Sequence, residues 1–166
     1  MNEVNNDSPD DADRFRKAAV GHANAAIIVH KHLQRTNTVR EDSTWVSLQN
    51  LIGLAAECAF KSYLVSHNTP IAALRRHDVG HNLVHLHQMC IDIGLREDQC
   101  LVGQYALSVV LGEVAEKLGK NHGDYSYRYI EGDRLKLLHQ DLATDTALAA
   151  IHCLTDIVQL RIGEKG

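Results

Sequence analysis

The sequence predicts an all-α fold, an antiparallel bundle of four long helices plus one short helix. Three observations carry that reading. Only two prolines, Pro9 and Pro70, interrupt 166 residues, so long helices go unbroken. Apolar residues recur at spacings of three and four along most of the chain. No segment alternates apolar and polar residues with the period of a strand, and no fixed-period repeat appears.

Residues 1–10 are polar and acidic and are expected to form a disordered tail. Residues 11–166 then read as a single domain, a length sufficient for a sizeable core. The first helix should begin near Asp11, with Phe15, Ala19, His22, Ala26, Val29 and Leu33 along one stripe. On that stripe His22 reads as a buried, hydrogen-bonded histidine. Asp42 or Ser43 can cap the second helix, whose stripe of Trp45, Leu48, Ile52, Ala55, Ala59 and Tyr63 is broadened by Leu51, Cys58 and Leu64. A face that wide implies more than one neighbour. Glu57 and Lys61 stand four apart, in the favourable order for an intrahelical pair.

Thr69 suits a cap and Pro70 a first helical position, so a short helical turn should run to about Arg75. Val79, Leu83, Leu86, Cys90 and Ile93 form the next apolar face, closed by Gly94, with His77, His81, His85 and Gln88 opposite. Gly80 leaves open whether that helix starts near Asp78 or at Asn82. A long helix is expected over residues 96–118, with Cys100, Leu107, Leu111, Val114 and Leu118 inward and Gly119 as its stop. Residues 120–132 read as a loop. The last helix should start near Asp133 and carry Leu138, Leu142, Ala147, Ile151, Leu154 and Val158.

Composition narrows the function classes. A net charge of −4 argues against a broad nucleic-acid surface and leaves room only for a local basic spot. No apolar run approaches the length of a membrane span, and no secretory pattern opens the chain, so no membrane partner and a cytoplasmic location are expected. The four cysteines, Cys58, Cys90, Cys100 and Cys153, lack paired C-x-x-C spacing and read as small core side chains in a reducing compartment. Eleven histidines make the charge sensitive to pH near neutrality.

The chemistry concentrates in Arg75-Arg76-His77-Asp78-Val79-Gly80-His81-Asn82-Leu83-Val84-His85-Leu86. Arginine grips phosphate in a fork and histidine exchanges a proton near neutral pH. Arg76 followed by His81 therefore has the parts for handling a phosphodiester, with His77 or Asp78 to orient the ring. The plainer alternative is a solvated helix entrance with His81 as its cap. His77, His81 and His85, spaced by four, would align on one helix and bind zinc if His122 or His139 joined them. Gly80 loosens that helix, and neither a metal nor another cofactor is expected.

With these elements placed, the chain resembles the HEPN superfamily of helical-bundle domains. The resemblance spans about residues 43–161. It rests on Glu57-x-x-x-Lys61 in the second helix, His81-Asn82-Leu83 opening a later one, and Tyr125-Ser126-Tyr127-Arg128-Tyr129 near the end. Family members resembling ribonucleases carry Arg-[Asn/Asp/His]-x-x-x-His, which residues 76–81 match literally. The resemblance then implies a homodimer and metal-independent RNA cleavage, with Arg76 and His81 catalytic. Other members carry the His-Asn-Leu start and the Tyr/Arg element and are associated with nucleotide binding or a partner nucleotidyltransferase. Gly80 before the histidine and Leu83 after it depart from the ribonuclease form. For that second branch the candidate ligand-binding residues are His77, Asn82, Tyr125, Tyr127 and Arg128, the tyrosines stacking on a base and the arginine meeting phosphate. A setting in prokaryotic defence or toxin–antitoxin systems is likewise implied only by the resemblance.

Overall fold

The computed structural model describes residues 9–39, 42–76, 78–97, 100–124 and 142–164, and it is mostly helical. Helix α1 (Pro9–Arg35) opens with Asp10 and Asp11 in its first turn and closes with His32 and Arg35 in its last, complementing the helix dipole at both ends. Its inner face is narrow: Ala12, Ala19, Ala23 and Ala26 are buried, and Leu33 completes the stripe. The buried histidine of this helix is His30 rather than His22, which is only partly covered. Ala19, Ala26 and Leu33 face inward as expected, whereas Ala23 and His30 take the places expected for His22 and Val29.

Helix α2 (Ser43–Ser66) is the centre of the fold and touches α1 along much of its length. Asp42 caps it, accepting a hydrogen bond from the Thr44 amide at 2.7 Å. The Ser62 hydroxyl donates to the Ala12 carbonyl at 2.8 Å, a polar tie between two backbones too close for large side chains. The helix ends at Asn68, whose φ of 67° is a left-handed turn that asparagine tolerates. Pro70, not Thr69, takes the capping position of the short α3 (Ile71–Leu74), and Thr69 instead donates its amide to the Leu64 carbonyl.

A turn follows in which the amides of Val79 and Gly80 both reach the Arg76 carbonyl. Helix α4 (Leu83–Cys90) starts only after it, capped by Asn82, which accepts from the His85 amide at 3.0 Å. That resolves where the helix begins. A wide turn over Ile91–Leu95 ends it, with Gly94 at φ 117°.

The helix expected over residues 96–118 holds from Leu107 onward, and its first part is overturned. Strands β1 (Leu101–Val102) and β2 (Tyr105–Ala106) form a small antiparallel ribbon, Leu101 opposite Ala106 and Val102 opposite Tyr105. Gly103 at φ 62° makes the tight turn that no helix accommodates. Helix α5 then runs from Leu107 to Gly123, through the expected stop at Gly119 and into the expected loop. Gly119 serves packing: a Cβ there would lie 3.2 Å from the Val84 methyl of α4.

Helix α6 (Thr144–Gly163) buries Ala147, Leu148, Ala150, Ile151, Leu154 and Val158 against α1, α2 and α5. The expected start of this helix near Asp133 falls outside the described residues. Arg161 ties α6 to the end of α2 by donating to the Ser66 carbonyl at 3.1 Å. The cysteines correct the reading of four free thiols. Cys100 and Cys153 are joined by a disulfide, while Cys58 and Cys90 are free. The fold brings the bonded pair together across 53 positions, a separation that carries no local signal. Among the described residues, no helix is long and apolar enough to cross a membrane.

Candidate functional site

Helix α2 contains two charged residues, Glu57 and Lys61, and both are buried, at 6% and 8% exposure. An isolated buried charge is costly, so such groups survive only with partners. Glu57 has three. Lys61 donates from Nζ to Oε1 at 2.7 Å, as the spacing of four predicts. Oε2 meets Nε2 of His122 at 2.6 Å and Nδ1 of His81 at 3.0 Å. Three segments thus converge on one carboxylate: the middle of α2, the last turn of α5 and the turn before α4.

Local sequence explains each placement. His81 precedes the Asn82 cap, so it stands outside the helix and its ring turns inward to α2 while His85 faces solvent. This breaks the one-helix alignment of His81 with His85, and His77 lies outside the described residues. His122 reaches Glu57 because α5 continues past Gly119. Its ring lies against Gly53, one turn before Glu57, where any Cβ would stand 2.7 Å from Nδ1. Glycine at 53 is therefore what makes room for the imidazole.

Burial pushes the Glu57 carboxyl up, but the opposing effects win. Hydrogen bonds from His122 and Lys61, the charge of Lys61 and the bond from His81 hold it at about 2. Glu57 is therefore a carboxylate at neutral pH, and it fixes the orientation of both imidazoles. His122 is sealed at 3% exposure, whereas the His81 side chain is 40% exposed. Nδ1 of His81 is committed to Glu57.

His81 lines a cleft of about 320 Å³, together with Asp78, Asn82, Lys120 and Asp124 among others. Arg76 stands beside it. Its guanidinium grips Asp78 bidentately, Nη2 to Oδ2 at 2.9 Å and Nε to Oδ1 at 3.2 Å, and both side chains are exposed, at 67% and 60%. Asp78 thus links Arg76 to the cleft that holds His81. Asn82 also lines it, although its side-chain oxygen is spent on the cap. Tyr125, Tyr127 and Arg128 lie outside the described residues.

Sequence reasoning saw Glu57 as half of a helical pair and of a family motif but not as an anchor for histidines, considered His122 only as a spare metal ligand, and missed Gly53 and Lys120. One signal was available for the first: two charges set into a broad apolar stripe have to find partners from elsewhere. Gly53 and Lys120 gave none. No family model, no curated protein and no solved structure matches this chain.

Proposed function

We propose that this chain is a HEPN-like protein acting on RNA, with His81 and Arg76 as its catalytic pair. The observation that carries the reading is the Glu57–His81 contact: a buried carboxylate holds one nitrogen of an imidazole whose other side belongs to a solvent-reachable cleft. Nε2 of His81 takes the proton of a ribose 2′-hydroxyl, and the resulting oxygen attacks the adjacent phosphorus. The bond to the 5′-oxygen breaks, and that oxygen takes a proton from the His81 imidazolium of a second copy. The products are a 2′,3′-cyclic phosphate and a 5′-hydroxyl, with no metal required. Arg76 stabilises charge on the phosphoryl oxygens. Its exposed pairing with Asp78 is weak enough in water to be exchanged for a phosphate, and Lys120, which makes no ion pair among the described residues, adds a second cation.

This reading brings with it an antiparallel arrangement of the four long helices, a homodimer, cytoplasmic residence and a defence or toxin–antitoxin setting. The test is incubation of labelled RNA with the purified chain in EDTA. Cleavage that falls about 10²–10⁴-fold in His81→Ala and Arg76→Ala supports it. Cleavage indifferent to both substitutions, or its absence, refutes it.

A second reading is favoured by one observation. Asp78 already occupies the guanidinium fork of Arg76, as in a site that binds without reacting. On this reading the chain is a non-catalytic helical module that recognises a nucleotide or a partner nucleotidyltransferase, with His77, Asn82, Tyr125, Tyr127 and Arg128 as contacts. Thermal stabilisation by ATP or GTP that is lost in Arg128→Ala, without RNA cleavage, would select it.

A further inference from the structure

Two imidazole nitrogens, of His81 and His122, and one carboxylate oxygen of Glu57 lie within 4.8 Å of one another. We propose that Glu57, His81 and His122 form a binding site for one zinc-class divalent ion, with Oε2, Nδ1 and Nε2 as ligands. The site does not depend on the RNA reading.

The donor set selects the ion. Two nitrogens and one oxygen suit zinc and its first-row neighbours, whereas magnesium and calcium prefer oxygen alone. Three protein ligands with a remaining position for water is the arrangement of an open zinc centre. Of the three ligands His81 lines the cleft, together with Asn82 and Lys120, so an ion can enter from its side while Glu57 and His122 are sealed.

The distances are close to what an ion needs. Zinc bonds of about 2.1 Å in a tetrahedron put ligand atoms roughly 3.4 Å apart. The observed separations from Oε2 are 2.6 Å to His122 and 3.0 Å to His81. Opening the cluster by less than about 1 Å suffices: the half-exposed His81 gives the smaller part, and the larger part falls between Oε2 and the sealed His122. Each imidazole would present its lone pair at the nitrogen facing Oε2 and carry its proton on the other.

Supporting groups are already present. Lys61 occupies Oε1 and so leaves Oε2 as the ligand oxygen, a fixed orientation of the kind ligating carboxylates receive from outer partners. Gly53 leaves the space that the His122 ring occupies. The histidines expected to cooperate were those spaced by four along one stretch. The fold chooses a different pair, one from the turn before α4 and one from the end of α5.

The experiment is calorimetric titration of ZnCl₂ into the tag-free chain after EDTA treatment and its removal, with cobalt absorption as a second readout of coordination. One ion per chain is expected, with affinity falling at least about tenfold in His81→Ala and in His122→Ala. His85→Ala, in an exposed histidine of α4, should bind as the parent does. No saturable binding near one equivalent overturns the proposal, as does binding unchanged in His81→Ala. That half-exposed position keeps the test decisive should His122→Ala fail to fold. RNA cleavage is assayed in EDTA and zinc binding without RNA, so either can fail alone.

Discussion

Two ion pairs of this chain behave in opposite ways. Glu57–Lys61 is buried and reinforced by two imidazoles, while Arg76–Asp78 is bidentate yet stands in water. The second pair is no poorer in geometry, with contacts of 2.9 and 3.2 Å. What differs is solvent: water screens and competes for the exposed pair, whereas the buried carboxylate has only its protein partners. The inner pair fixes structure, and the outer one remains available for exchange with a ligand.

The largest expected effect comes from breaking the inner pair. Glu57→Gln leaves Lys61 without its carboxylate in a buried place and should destabilise the fold by about 3–5 kcal/mol, read by urea unfolding. A parent-like midpoint would mean that the cluster contributes nothing.

Acid should separate the two pairs next. The Glu57 carboxyl, at 4.5 when unperturbed, is held at about 2 in the fold. A depressed carboxyl stabilises above its unfolded value and loses that contribution as pH falls through its folded one. About 3 kcal/mol should therefore disappear between roughly pH 5 and pH 2. Glu57→Gln should flatten that part of the stability curve, and a profile as steep as the parent's would refute the assignment.

A smaller effect tests the space beneath His122. Gly53→Ala places a methyl where the ring stands, so His122 must move or α2 and α5 must separate. A cost of about 1–3 kcal/mol is expected, comparable to overpacking in other cores. His122 imidazole resonances that stay in place would show that the contact has slack.

The smallest change belongs to the outer pair. Arg76→Ala should leave the unfolding midpoint within experimental error, since an exposed pair contributes little. Any effect should appear instead in RNA binding, as a shallower dependence on salt. A large loss of stability would place Arg76 with the structural group.

The elements legible in the sequence were those whose signal is local. Asp42 announced a helix start, Gly94 announced an end, and the Glu57–Lys61 spacing announced the pair, while Asn82 was one of two starts left open. The failures came from residues whose meaning depends on what lies opposite. Gly119 looks like a stop until Val84 is seen above it, and Gly103 is a turn only because Leu101 and Ala106 pair across it. Cys100 finds Cys153, and His81 finds His122, through tertiary closure alone. The candidate site was thus half visible: His81 from its motif, its anchoring carboxylate only from the fold.

The alanines of α1 bear on how this protein can vary. At Ala12, Ala19, Ala23 and Ala26 there is no side chain to trade for another of similar bulk, so drift at this seam is confined to glycine, alanine and serine. A random library at those four codons should return almost nothing larger. Diversity in descendants of this chain should collect on the opposite, watered side of the same helix.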